Sequence, residues 1–191
     1  MKHDPLSRYD TLEDGTYVVN IRAKSPGSLF NEFDFDSSLW NIDLRKDFVD
    51  YLVDCVDEIG DKNNFVLQVC LPEDKIEKGF AGKFGKAINS YFFYLIHISK
   101  KSILRLTNKI IFNFILSLSL LVLILLIGKN INDTESMIYM IFNEGLYIAI
   151  WVLMWPVFSD FLIEMKGEWD KLKIYKRFLD IELLFDSYKD L

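Results

Sequence analysis

Residues that usually carry chemistry are scarce in this chain. Cysteine and histidine occur twice each, at Cys55, Cys70, His3 and His97, scattered with none of the spacing that holds a zinc ion. No glycine-rich phosphate loop is present, nor any serine or cysteine nucleophile motif. The expectation is a protein that is not an enzyme, with no cofactor and no metal. The first sixty residues also lack basic clusters, holding thirteen acids and six bases. Phosphate backbones need clustered Lys and Arg, so nucleic acid is not an expected partner. No internal repeat or low-complexity segment occurs, and no cleavable apolar stretch opens the chain.

What the sequence has in excess is apolar length near its C-terminal end. Ile110 to Gly128 is nineteen residues without a charge, fenced by Lys109 and Lys129. At 1.5 Å per residue that is about what a helix needs to cross a bilayer core of roughly 30 Å. A second run, about Ile138 to Ile163, is similar in length but carries Asn143, Glu144 and Asp160. Together they predict a transmembrane helical hairpin over 109–163, with the bilayer as its first partner. Lys100, Lys101, Arg105 and Lys109 precede the first span, and Lys166, Lys171, Lys173, Lys176 and Arg177 follow the second. The connecting segment sets Lys129 against Asp133 and Glu135, so both termini are expected in the cytoplasm. In that reducing compartment the two cysteines are expected as free thiols. Residues 61–108 hold four acids and eight bases, which anionic lipid headgroups would attract.

The preceding part is long enough for one small domain. Residues 1–15 are polar and expected to be mobile. Thr16 to Ala23 alternates as a strand, and Ser25-Pro26-Gly27 breaks it. After the aromatic stretch of Phe30, Phe33, Phe35 and Trp40, either Asn41 or Asp43 would cap a helix running to Ile59. Leu44, Phe48, Leu52, Cys55 and Ile59 recur on that helix at helical spacing, and Gly60 would stop it. Phe65 to Leu71, closed by Pro72, reads as a second strand, giving a βαβ unit with two parallel strands. Asp47, Asp50, Asp54 and Asp57 share the other helix face; carboxylates spread along one helix diverge, which suits a solvated face better than a cation site.

From about Ile76 to Asn108 a helical stripe of Phe80, Phe84, Ala87, Tyr91, Leu95 and Ile98 leads toward the first span, which this helix would enter directly. The run Tyr91-Phe92-Phe93-Tyr94 suits core packing and an interfacial anchor rather than a ligand platform. Beyond the second span, Ile174, Phe178, Ile181, Phe185 and Tyr188 predict an amphipathic cytoplasmic helix over 164–191 that packs on another helix. The fold class expected is α+β: a small cytoplasmic βαβ-containing domain over 16–108, then the hairpin with helical extensions.

Within the hairpin, Asn113, Ser117 and Gly128 lie near one side of the first helix, while Gly145 and Ala149 form a small-xxx-small pair on the second; both sets are expected at helix contacts. Glu144 sits about one turn inside the outer end, with Trp151 and Trp155 on nearly its own face. It admits two roles. It is either a helix-terminal acid at headgroup level, favoured by the dipole, or a functional carboxylate facing protein or an aqueous path. Pro156 would bend the second helix and let Asp160 pair with Lys109.

From about residue 17 onward the chain resembles a group of small bacterial two-span inner-membrane proteins with no known activity. The likeness rests on Leu29-Phe30-Asn31 followed by Asp36, on Leu44 to Leu52, and on Glu144-Gly145-Leu146-Tyr147-Ile148 leading to Trp151-Val152-Leu153-Met154-Trp155. In that group Arg-Pro generally follows the second tryptophan; here Pro156-Val157 follow, without the arginine. The resemblance implies a membrane hairpin in a bacterial inner membrane and supplies no activity. The functional expectation is a self-associating, non-enzymatic membrane protein whose cytoplasmic part binds a partner or signal, with a pore or membrane effector as its sharper form. Its rival is an accessory subunit of a larger membrane complex that conducts nothing.

Overall fold

The computed structural model describes residues 5–31, 43–75, 79–130, 137–179 and 181–188. The expectations placed on Phe33, Phe35, Asp36, Trp40, Asn41, Ile76 and the connecting residues 131–136 fall outside the described residues. The chain divides into two compact units, Met1–His97 with Leu172–Leu191, and Ile98–Lys171.

The first unit is built on a four-stranded sheet in the order β1 (Asp10–Thr11), β2 (Tyr17–Arg22), β3 (Phe65–Pro72), β4 (Leu183–Tyr188). The expected βαβ unit is present. β2 and β3 run parallel from Tyr17↔Phe65 to Arg22↔Cys70, joined through helix α1 (Lys46–Ile59). The pleat turns Val19, Ile21, Leu67 and Val69 to one face, where Leu52, Cys55, Val56 and Ile59 of α1 meet them in a closed core. α1 starts later than Asp43. The Asp43 carbonyl instead accepts the Asn31 amide at 2.8 Å, and Leu44 bridges Phe30, so this stretch is extended and Arg45 takes the cap position.

Gly60 ends α1 with φ 77° and ψ 163°, a backbone region essentially open to glycine alone. A methyl at Gly60 would meet nothing within 4 Å, so only the backbone resists substitution. Gly60→Ala should lower the stability of the chain by about 1–3 kcal/mol, read as a drop in the unfolding temperature in mild detergent. An unchanged transition would contradict that geometry.

Two expectations are corrected by the C-terminal segment. The helix expected over 164–191 ends at Arg177 as α4 (Met165–Arg177), and the chain returns as β4, parallel to β3 from Leu67↔Leu183 to Pro72↔Tyr188. With β4 on one edge and the short β1, antiparallel to β2, on the other, the expected two-strand sheet is four-stranded, and residues 172–191 belong to the same unit as the βαβ element. The physical reason is the unpaired edge of β3, which a strand satisfies and a helix does not; Leu67 N–H reaches the Glu182 carbonyl at 3.1 Å. The stripe divides between a helix and a strand: Ile174 and Phe178 join the core, Ile181 and Tyr188 are half-buried, and Phe185, though 37% exposed, packs edge-on to Phe80 and Phe84.

Arg177 secures the turn. Its guanidinium donates to the carbonyls of Val56, Gly60 and Asn63, the last at 2.6 Å, and lies over the Phe65 ring. These contacts tie the end of α4 to the last turn of α1 and to the loop that follows it, where the Val56 and Gly60 carbonyls also accept backbone amides. Burial pushes the Arg177 side chain below its ordinary pKa.

Helix α2 is one continuous element, Phe80–Asn130, so the juxtamembrane helix and the first apolar run are a single rod, as the sequence suggests. In the first unit its buried line is Phe80, Phe84, Ala87, Ile88 and Phe92. The aromatic run does not form a platform. Phe92 is fully buried and stacked on Phe178 with ring centroids 4.0 Å apart, while Phe93 and Tyr94 are exposed.

The second unit holds the rest of α2, helix α3 (Met137–Ser159), a π turn over Asp160–Glu164 and the start of α4. Both long helical stretches are apolar enough and long enough to cross a membrane. Their apolar windows are only 11% and 6% buried within the chain. Phe112, Ile115, Leu125, Ile141, Val152 and Leu162 are among the large apolar side chains left uncovered.

Candidate functional site

Of the polar residues of the apolar hairpin, Asn113, Ser117, Asn143 and Asp160 fall on the less exposed sides of α2, α3 and the π turn. On α2 the less exposed positions are Leu106, Ile110, Asn113, Ser117, Leu120, Ile124 and Ile127, at alternating steps of three and four. On α3 they are Tyr139, Asn143, Leu146, Ile150, Leu153, Val157 and Asp160, in the same rhythm. This is the seam of a coiled-coil-like pair, and it explains which polar residues are covered.

At one end of the seam Asp160, 4% exposed, receives Lys109 with Nζ 2.9 Å from Oδ2. This is the pairing that the sequence suggests. The approach lies off the line of a directed hydrogen bond, so Oδ2 has a charge partner but no well-aligned donor. The chain passes Pro156 as helix and then widens into the π turn at Asp160, closed by the Met165 amide on the Asp160 carbonyl. A π turn shifts the register of the side chains after it, so Asp160 is the last position in the rhythm of α3.

Ser117 is fully buried in the middle of the seam. Its hydroxyl donates to the Asn113 carbonyl one turn earlier at 2.7 Å, so it is satisfied within its own helix and serves the contact through its small size. Gly128 is also a close-approach position. A methyl there would come within 3.1 Å of the Tyr139 hydroxyl.

The other candidates lie elsewhere. Gly145 is exposed, with nothing within 4 Å of a methyl placed on it, and Ala149 is half-buried, so the pair does not form one contact within the chain. Glu144 is exposed rather than turned into the hairpin, on a face shared with Ile148, Trp151 and Trp155, the last two 67% exposed each. The reason is register: Asn143 takes the seam position, and Glu144 is about 100° further round the helix.

Lys109 lies beside the seam position Ile110, four and eight residues before Asn113 and Ser117, and reaches Asp160 from the exposed side. Asp47, on the acidic face of α1, is held by both guanidinium nitrogens of Arg45 that reach it, at 3.0 and 2.6 Å, which keeps its carboxyl below the usual range. Cys55 is buried and Cys70 half-buried, both unpaired with one another; burial, then the charge of Asp186, pushes the Cys70 thiol up.

No protein-family model, no curated protein and no solved structure matches the chain.

Proposed function

We propose that the protein is a non-enzymatic integral membrane protein of a bacterial inner membrane that self-associates through its hairpin and its sheet. The observation that carries the membrane reading is the exposure of the apolar helices: such a surface is stable in lipid and an aggregation site in water. The basic residues on either side of the two spans support cytoplasmic termini and an outer connecting segment.

Two features support self-association. β4 is an edge strand with no described strand on its outer side, and Leu183-Leu184-Phe185-Asp186-Ser187-Tyr188 contains neither the lysine nor the proline that commonly blocks an edge. Gly145, Ile148, Trp151 and Trp155 form an uncovered stripe on α3 with a small residue that admits a close helix. The Ile174 to Tyr188 stripe argues less for a partner, because Ile174 and Phe178 lie in the core of their own unit and Phe185 packs on Phe80 and Phe84. In such an assembly Glu144 lies on the face available to a neighbour. It would favour cations if several copies surrounded a path.

Detergent-corrected light scattering tests the assembly. The account expects a protein mass that is a multiple of 22.5 kDa. A single-chain mass at every concentration would overturn self-association and favour an accessory subunit, whose partner is a different protein on the same α3 face.

A further inference from the structure

We infer that the inner end of the second unit binds the headgroup of an anionic phospholipid through Lys101 and Arg105 of α2, an inference that rests on the membrane reading proposed above. The 51 residues of α2 contain no aspartate or glutamate but seven lysines and arginines. Four of the seven, Lys100, Lys101, Arg105 and Lys109, fall within ten consecutive residues just before the first apolar run, and all four are exposed. Lys101, Arg105 and Lys109 recur every four residues, so they share one stripe of the helix. Each precedes a half-buried position, Ser102, Leu106 or Ile110. The stripe therefore runs beside the groove that Ser102 and Leu106 form with Ile163 and Gly167, not into it. Glu164 and Glu168 also line that groove, and Lys171 is paired with Glu168 at 3.0 Å, so an anion is kept out of it and on the basic flank. Lys109 is committed to Asp160, which leaves the contact to Lys101 and Arg105.

Depth puts these two side chains at the height of headgroups. Lys109 and Lys129 are twenty residues apart along one helix, about 30 Å, which is the thickness of the hydrocarbon core. With Lys109 at the inner edge, Arg105 and Lys101 lie roughly 6 and 12 Å beyond it, in and at the rim of the headgroup layer. A second observation shows that lipid contact continues past the Lys109–Asp160 pair. Phe161, Leu162 and Ile163 follow Asp160 directly, and all three are exposed, as is Leu104 beside Arg105. Trp169, also exposed, is of the type that anchors at this layer. An apolar collar beside a basic stripe suits a lipid, whose glycerol and first methylenes cover the collar while its phosphate meets the cations. Arg105 can hold such a phosphate with two parallel N–H donors.

The chain in mild detergent is offered equal amounts of phosphatidylglycerol and phosphatidylcholine with the same acyl chains, and bound lipid is counted by native mass spectrometry. Phosphatidylglycerol should be retained over phosphatidylcholine by about tenfold or more, a preference that falls as ionic strength rises. Lys101→Gln with Arg105→Gln should bring the preference close to one. Lys129→Gln, at the other end of the span, should leave it unchanged. Arg105→Gln alone should weaken it by a smaller factor, which keeps the test open should the double variant unfold. No preference in the natural chain, or the same preference in a folded double variant, overturns the site. So does full displacement of the lipid by soluble glycerol phosphate, which would make this a site for a small phosphate. Reconstitution into discs of pure phosphatidylcholine separates the two readings: insertion without any lipid preference removes the site alone, and failure to insert removes both.

Discussion

Lys109→Met should lower the unfolding temperature of the hairpin, and adding Asp160→Asn should recover most of the loss. Removing one partner of an ion pair leaves the remaining charge uncompensated. Asp160 is the partner that suffers, since its side chain is 6% exposed while that of Lys109 is about half exposed. The double variant removes both charges and leaves an amide of nearly the same shape, so the penalty of a stranded carboxylate disappears. Thermal unfolding in mild detergent reads the difference. Equal transitions for the single and double variants would show that the pair contributes no coupling, and the seam would then rest on packing alone.

Phe92→Ala should cost about 3–5 kcal/mol, the range for removing a fully buried aromatic side chain from a core. Phe92 has no exposed surface, and its ring lies 4.0 Å from that of Phe178 at an interplanar angle of 6°. It also stands 6.1 Å from Tyr175, so its loss opens a cavity between α2 and the end of α4 within the first unit. Phe93→Ala, one residue on and 65% exposed, should change stability by no more than about 0.5 kcal/mol. The two neighbours separate packing from composition. Similar costs for both would mean that the aromatic run acts as a whole, as a platform or anchor.

These contrasts show which features the sequence made legible. The βαβ unit was readable because period-two alternation at Tyr17 to Arg22 and period-four recurrence at Phe48, Leu52 and Cys55 have few rivals. Pro72 and Gly60 also punctuate their segments by steric necessity. The Lys109–Asp160 pair was readable because a buried carboxylate in an apolar run must find a cation, and few are in reach. β4 was not readable. Ile174, Phe178, Ile181, Phe185 and Tyr188 fall at helical spacing, yet Ile181, Leu183 and Phe185 also alternate as a strand would. What decides between the two is the open edge of β3, more than a hundred residues away, which no local pattern reports. Glu144 is a similar case. Its neighbours Trp151 and Trp155 were correctly placed on its face, but which face packs on α2 depends on the register of the pair, set by Asn143, Leu146 and Ile150.

The central claim, that two apolar helices cross a membrane with both termini on the inner side, is tested most directly by cysteine accessibility. In a background lacking Cys55 and Cys70, single cysteines are placed at Asn132, in the connecting segment, and at Ser7. Each is treated with a membrane-impermeant maleimide added outside intact spheroplasts. The account predicts that the cysteine at 132 reacts at once and that the one at 7 reacts only after lysis. Reaction at 7 with protection at 132 would invert the topology; protection of both until lysis, with the protein recovered in the soluble fraction, would contradict the membrane reading itself.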